Sequence, residues 1–325
     1  MRKLAVSIGI LLLLATVAVA TTPARLAYEP AIPSIPSNID NYLAESERVA
    51  ADTIPLIPGT EKRVRWFAGR QPTEYAIVYL HGFSATRQEL APMLDRLADA
   101  LGANLFETRL AGHGRNSEAL VGVTAEEWLD DAAEALAIGA SIGKRIILIG
   151  ASTGATLAVA MAGHPAMEAV TLQVLMSPNF APADSRSNWI TRPAGALILR
   201  LTAGDMHSFE PRNEEQARYW STAYPVAAIV EMMRLVDRAN ARAATSVDHS
   251  ILTLYSSLDQ VVSVAAIRDA VGRMNAADDR VLDLGTVGDP MNHTLAGRIL
   301  SPGETDLIVS TIVDYVVELR SAQQP

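Results

Sequence analysis

The sequence predicts an α/β fold, with a mostly parallel, doubly wound sheet and an inserted helical cap. Short apolar runs rich in β-branched residues alternate with segments of helical spacing between residues 75 and 160, which is typical of a parallel sheet covered by helices. Loops that carry histidine, glycine or serine follow these runs, at the sheet edge where such folds bind ligands. Residues 180–245 hold aromatic residues and methionines but no convincing strand, so we interpret them as the cap.

The elements follow one another in a regular order. The run 75–80 is almost wholly apolar, and the helix at 124–142 opens with a capping box from Thr124 to Glu127. Strands are predicted at 64–68, 75–80, 103–107, 146–149, 170–176, 250–256 and 281–284. Helices are predicted at 87–101, 124–142, from 153 onward, and at 194–201, 225–238, 264–274 and 307–319.

The composition of the chain argues against several classes of function. The chain has 325 residues, a formal net charge of -9 and no cysteine. The acidic balance argues against nucleic-acid binding, and the lack of cysteine excludes disulfides, thiolate metal ligands and a cysteine nucleophile. No group of histidines and carboxylates has the spacing of metal ligands, so we expect no metal and no cofactor.

The first 20 residues predict a secretory signal peptide. Arg2 and Lys3 precede an uncharged apolar run at 4–20, and Ala18-Val19-Ala20 is a small-x-small cleavage pattern. We therefore expect an exported protein, periplasmic or secreted. The alternative is an uncleaved anchor, because this run is at the lower edge of the length that spans a bilayer. An anchor would associate the protein with the membrane surface.

Residues 21–60 predict an extended arm. They contain 6 of the 17 prolines, and such a composition favours a tether or a strap over the domain surface rather than core. The sheet domain is then 61–325, with the cap at about 180–245.

The stretch from Arg145 to Ala158 carries the strongest chemical signal. Four apolar residues, 146–149, lead into Gly150-Ala151-Ser152-Thr153-Gly154 and then into an alanine-rich helix. This is the strand, sharp turn and helix of a nucleophile elbow, in which the two glycines allow the strand and helix to approach closely. We therefore predict Ser152 as a nucleophile.

A serine hydroxyl needs a base, and the base needs an orienting acid. In folds of this kind the chain order is serine, acid, histidine, each after its own strand. Asp259 follows one late strand and His293 follows the next, so we predict them as acid and base. Asp289 is the alternative acid, and Asp205 and Asp248 are poorer ones.

The remaining predicted site residues support this chemistry. Backbone N–H groups of Phe83 and Thr153 are the expected oxyanion donors. His81 and Gly82 lie in the loop of Phe83, and His113 lies in a Gly-His-Gly turn before the nucleophile. Because that order is wrong for a base, we assign His81 and His113 supporting roles, together with Gly150 and Gly154.

These motifs resemble the α/β-hydrolase superfamily, and more closely the monoglyceride lipase and bacterial carboxylesterase/lysophospholipase-like group of serine aminopeptidase S33 type. The resemblance spans about 63–320 and implies the same roles for the residues above. The chain departs from many relatives at Thr153, where methionine is common. It departs again at 108–114, where many relatives have Asp-x-Arg-Gly-His-Gly.

The expected function is hydrolysis of a small-molecule or lipid-like ester, of monoacylglycerol or lysophospholipid type, through an acyl-enzyme on Ser152. A peptidase, thioesterase or lactonase on the same fold is an alternative, since fold does not fix chemistry. Two alternatives from other classes are a ligand-binding module on a hydrolase scaffold and an interaction protein that acts through its arm. The oligomeric state stays open.

Overall fold

The computed structural model describes residues 21–322, so the predicted signal peptide or anchor at 1–20 lies outside the described residues. Within 21–322, no helix is both long enough and apolar enough to cross a membrane. Outside the arm and the cap, the chain order of strands and helices is the alternation that the sequence predicts.

A seven-stranded sheet forms the centre of the molecule, in the order β1-β3-β2-β4-β5-β8-β9. All neighbouring strands are parallel except the β1–β3 pair at one edge. The predicted fold class, a mostly parallel doubly wound sheet, is thus confirmed. The seven strands are β1 Arg63–Arg65, β2 Thr73–Leu80, β3 Asn104–Glu107, β4 Gly143–Ala151, β5 Val170–Met176, β8 Ser250–Tyr255 and β9 Asp279–Asp283.

Helices cover both faces of the sheet because the central strands are apolar on both sides. In β2, Ala76 and Val78 face one buried layer, whereas Ile77 and Tyr79 face the other. The first layer packs against α3 (Ala125–Ile142), α4 (Thr153–Ala160), α7 (Val226–Arg242) and α8 (Val264–Arg273). The second layer packs against α2 (Met93–Leu101) and α9 (Thr305–Ala322).

The predicted helix at 87–101 is shorter in the structure. Residues Arg87–Glu89 form a single 3-10 turn, and α2 begins only at Met93. Pro92 stands at the N-cap of α2. Proline has no N–H and clashes with a preceding helical turn, so the leucine spacing across it does not produce one continuous helix.

The inserted cap lies between β5 and β8 and is not purely helical. The prediction of a cap without strands was wrong, because Met206–Ser208 (β6) and Ala223–Pro225 (β7) pair as an antiparallel ribbon. These strands have three residues each, and β6 is exposed, so neither produces an alternating hydrophobic pattern. The cap helices are α5 Gly195–Ala203, α6 Glu214–Tyr219 and α7 Val226–Arg242.

The N-terminal arm is only partly extended. Residues 21–37 have no regular secondary structure, but Ile39–Thr53 form a helix, α1, capped by Asn38. The prediction of an extended arm was therefore wrong over α1, whose apolar side chains Ile39 and Leu43 are buried against the sheet domain. Two of the prolines, Pro36 and Pro55, simply flank this helix.

Arginines of the cap and of the sheet domain bind the arm at two places. In the first part, Arg238 of α7 donates to the carbonyl oxygens of Leu26 and Tyr28 and pairs with Glu29. In the helical part, Arg109 donates to both carboxylate oxygens of Glu47 at 2.9 and 3.0 Å, with both side chains buried. The arm is therefore a strap that is hydrogen-bonded to the cap at one end and to the loop after β3 at the other.

Candidate active site

Ser152 lies in a sharp turn between β4 and α4, at the carboxyl edge of the sheet. Its φ of 50° and ψ of -116° are strained for a residue other than glycine. The backbone N–H of Ser152 donates a hydrogen bond to the carbonyl oxygen of Met176, in the neighbouring strand, at 2.8 Å. This conformation is the one expected for a nucleophile elbow.

The glycines on either side of Ser152 are required by close packing. A Cβ on Gly154 would lie 1.9 Å from the carbonyl oxygen of Leu80, and one on Gly150 would lie 2.5 Å from Cα of Ala155. Both contacts are with backbone, which cannot move aside without displacing β2 or α4. The elbow therefore depends on Gly150 and Gly154 for its geometry.

The structure brings Ser152, His293 and Asp259 into one hydrogen-bonded row. Nε2 of His293 lies 2.9 Å from Oγ of Ser152, and Nδ1 lies 2.8 Å from Oδ2 of Asp259. The other carboxylate oxygen of Asp259 accepts from the N–H groups of Val261 and Val262 at 2.8 and 3.0 Å. Because a carboxylate accepts only, Nδ1 carries the proton and Nε2 is free to accept the serine proton.

Asp289, the alternative acid, has a different position. Its Oδ2 accepts from the backbone N–H groups of His293 and Thr294 at 3.2 and 2.9 Å, and its Oδ1 accepts from Met291. Asp289 thus shapes the loop that presents the imidazole rather than contacting Nδ1. The poorer candidates lie outside the row too, since Asp205 pairs with Arg200 on the cap and Asp248 lies two residues before β8.

The surroundings of His293 favour the protonated imidazole. Burial lowers its pKa, but the hydrogen bond and charge of Asp259 act in the opposite direction, with smaller effects of the Asp289 and Glu89 charges. The balance raises the pKa of His293 above its usual value. A base of this kind gains a proton readily when a serine gives one up.

The loop after β2 places the N–H of Phe83 between two hydrogen-bonded neighbours. The N–H of Gly82 donates to Glu89 Oε1 at 2.6 Å, and the N–H of Ser84 donates to His113 Nε2 at 3.0 Å. In the described part of the chain, no group accepts from the N–H of Phe83 between them or from that of Thr153. These are the two donors that the sequence predicts for an oxyanion.

His81 and His113 stabilise the two loops around the site. Nε2 of His81 accepts from the N–H of Leu110 at 3.0 Å, and the two imidazoles pack edge to face at 5.0 Å. Burial, aided by the neighbouring His113, lowers the pKa of His81 far below its usual value, and burial lowers the pKa of His113 to about 4. Both rings are neutral at neutral pH and act as fixed hydrogen-bonding groups.

A cavity of about 690 Å³ opens beside Ser152 and His293, between the sheet edge and the cap. The cap supplies apolar side chains to it, among them Phe209, Trp220, Ile229 and Met232. Charged side chains, Glu210 and Arg212, also line it and are exposed to solvent. The cavity therefore has room for an apolar chain and, at its rim, for a polar group.

Sequence reasoning missed one buried acidic group at this site. Glu89, in the 3-10 turn after β2, is 5 % exposed and touches the loop of Phe83. The helical spacing predicted at 87–101 points only to the apolar residues there, and a single glutamate in such a segment looks like a surface residue. As for metals, residues 21–322 contain no group of three or more His, Asp or Glu side chains arranged to hold an ion.

Several solved structures are similar to this chain in fold. One of the metagenome-derived lipolytic enzymes LipS and LipT superimposes with a TM-score of 0.65 and 18% identity, over 81% of this chain and 99% of the other. Paleococcus ferrophilus monoacylglycerol lipase superimposes with a TM-score of 0.59 and 15% identity, over 79% of this chain and 98% of the other. A soluble variant of Saccharomyces cerevisiae monoglyceride lipase, bound to a substrate analogue, superimposes with a TM-score of 0.60 and 10% identity, over 79% of this chain and 90% of the other.

Sequence comparison gives a family. Comparison with curated proteins finds no match. The profile of the family described as "Serine aminopeptidase, S33" matches residues 71–284, about two thirds of the chain and the whole span from β2 to the end of the sheet. The chain therefore belongs to the serine aminopeptidase S33 family of α/β-hydrolases.

Proposed function

We propose that this protein is a serine ester hydrolase in which Ser152 is the nucleophile, His293 the base and Asp259 the orienting acid. The observation that carries the proposal is the hydrogen-bonded row beside the cavity, with 2.9 Å from Ser152 Oγ to His293 Nε2 and 2.8 Å from Nδ1 to Asp259. Membership of a hydrolase family supports it.

The reaction proceeds in two halves. Ser152 Oγ attacks the ester carbonyl carbon while His293 Nε2 takes its proton, and the N–H groups of Phe83 and Thr153 stabilise the oxyanion. The imidazolium then gives its proton to the departing alcohol, which leaves an acyl-enzyme on Ser152. A water molecule, deprotonated by His293, attacks the acyl-enzyme and releases the carboxylic acid.

The substrates that fit this cavity best are amphipathic esters, of monoacylglycerol or lysophospholipid type. An acyl chain would lie along the apolar cap side chains, and the polar alcohol would lie toward Glu210 and Arg212 at the rim. Relatives in fold whose names describe monoacylglycerol or monoglyceride lipases support this class.

The test is hydrolysis of p-nitrophenyl esters of increasing acyl length, followed by monoacylglycerols, lysophospholipids, peptides and thioesters. Ser152→Ala should lower kcat by about 10⁶-fold, whereas Ser141→Ala, a control serine in α3 that bonds only Ala137 O, should match wild type. Turnover of peptides or thioesters but not esters would replace the ester assignment. No turnover, with tight ligand binding, would favour the binding-module alternative.

We also propose that the protein is exported, with cleavage after Ala20. The contacts of the arm support this, since Arg234 of α7 holds the carbonyl of Ala24 at 2.9 Å and Leu26 is buried. Cleavage at that point would remove none of these residues. N-terminal sequencing after expression of the full chain should give Thr21, whereas Met1 in a membrane fraction would indicate an anchor instead.

A further inference from the structure

Glu89 lies directly behind the oxyanion loop. Its Oε1 accepts hydrogen bonds from the N–H of Gly82, at 2.6 Å, and from the hydroxyl of Tyr79. A Cβ on Gly82 would lie 3.1 Å from Glu89 Oε2 and 3.4 Å from Cβ of Ser152. Gly82 is therefore enclosed between the glutamate and the nucleophile, and a Cβ at this position would press on the carboxyl group of Glu89.

This contact fixes one side of the segment that carries the donor of Phe83. The opposite side is fixed by His113, which accepts the N–H of Ser84 at 3.0 Å. Peptide units are planar, so fixing the units on both sides of Phe83 leaves little freedom for its own N–H. That N–H is held in one direction before any substrate arrives, which is what electrostatic preorganisation requires.

We propose that Glu89 is a positioning residue, which holds the Phe83 N–H toward the oxyanion by anchoring Gly82. The proposal rests on the function proposed above, since it assigns Glu89 a task only if Ser152 attacks a carbonyl. Glu89 does not touch the reacting atoms and is not a catalytic residue.

The surroundings of Glu89 make a carboxyl group energetically costly at this position. Leu90 and Met93, its neighbours along the chain, lie in the apolar layer under the sheet, where burying a carboxyl group is costly. Burial raises the pKa of Glu89 to about 7, although the Tyr79 and Gly82 hydrogen bonds and the charge of His293 lower it. An apolar side chain would avoid this cost but would leave the Gly82 N–H unpaired.

The experiment compares Glu89→Leu and Glu89→Gln with wild type. One readout is the rate at which a p-nitrophenyl alkylphosphonate modifies Ser152, because its phosphoryl oxygen occupies the oxyanion position. The other is the separate measurement of kcat and KM on the best ester. Since losing an oxyanion donor costs about 10²- to 10³-fold in kcat, misdirecting one should slow both reactions by about 10- to 100-fold in Glu89→Leu, with KM nearly unchanged. Glu89→Gln keeps an acceptor oxygen and should lose less.

Glu107→Gln is the matched control. Glu107 is also a buried carboxyl group, 1 % exposed, but it lies at the end of β3 and pairs with Arg63 and Arg87. Its loss should lower the melting temperature without slowing the phosphonate reaction. A comparable slowing in Glu107→Gln would show that any lost buried carboxylate has this effect, and would overturn the proposal.

The outcomes separate this proposal from the proposed function. If wild-type Ser152 neither reacts with the phosphonate nor turns over esters, the proposed function fails. If wild type reacts but folded Glu89→Leu reacts equally fast, or raises KM at unchanged kcat, the positioning role is overturned. If Glu89→Leu does not fold, Glu89→Gln and Tyr79→Phe are measured in its place. Wild-type rates of phosphonate modification and of ester hydrolysis in both variants would overturn the proposal.

Discussion

Asp259 lies 2.8 Å from Nδ1 of His293, and its side chain is completely shielded from solvent. Asp259→Asn would keep the shape of this contact but could accept from Nδ1 only weakly and would favour the wrong imidazole tautomer. We expect kcat to fall by about 10³- to 10⁴-fold with little change in KM. Asp205→Asn, which alters an exposed carboxylate of the cap, should retain wild-type kcat. Equal losses in the two variants would contradict the assignment.

The pH dependence of the reaction should report on His293. Only the neutral imidazole can accept the serine proton, so kcat/KM should fall as the pH drops through its pKa. Because the Asp259 contact raises that pKa, the midpoint should lie above the usual value of about 6.5.

The same titration in Glu89→Gln should lower this midpoint only slightly, because the Glu89 charge is the smallest of the effects that raise the pKa of His293, whereas the residual activity of Asp259→Asn should show a clearly lower midpoint. A midpoint that disappears in Glu89→Gln would assign the ionisation to Glu89 instead.

Gly154→Ala should disrupt the elbow. The added Cβ would lie 1.9 Å from Leu80 O, so β2 or α4 must shift, and we expect both loss of ester hydrolysis and a lower melting temperature. The control is Gly272→Ala in α8, where a Cβ meets nothing within 4 Å. That variant should be more stable by about 0.5–1 kcal/mol. Thermal unfolding with activity assays checks both, and an active, stable Gly154→Ala would refute the packing argument.

The pair formed by Glu47 and Arg109 should contribute strongly to stability. Glu47→Gln removes one partner of a buried ion pair and should lower the free energy of unfolding by about 3–5 kcal/mol. Glu45 belongs to the same helix but pairs with Arg48 in solvent, with both side chains at least 60% exposed. Glu45→Gln should leave the denaturant midpoint unchanged. Similar midpoints for the two variants would show that α1 adds little to the stability of the body.

The sequence predicts the sheet and the meeting of three site residues well, for physical reasons. The strands at 75–80 and 170–176 are buried on both faces, so their apolar runs are unmistakable, and β5 has the predicted bounds. The proximity of the three residues follows from the elbow motif and from the position of each residue after its own strand. Parallel strands bring their carboxyl ends to one edge, where Ser152, Asp259 and His293 meet.

The features that sequence reasoning missed depend on contacts distant in sequence. Glu89 has meaning only because the chain folds it behind Gly82. Helix α1 was overlooked because proline content dominated the interpretation of 21–60, although the Asn38 cap and the spacing of Ile39 and Leu43 were visible signals. The ribbon in the cap is too short and exposed to have a pattern.

The attachment of the strap has a consequence for the order of folding. Residues 24–29 are held by Arg234, Arg238 and Arg242, more than 200 positions later in the chain. This segment therefore lacks these arginine partners until α7 has been synthesised and packed. Contacts of such long range form slowly, because a large loop must close, at a cost in chain entropy, before the contacts contribute any stability. During biogenesis residues 24–29 thus stay accessible until late, after most of the chain has been synthesised.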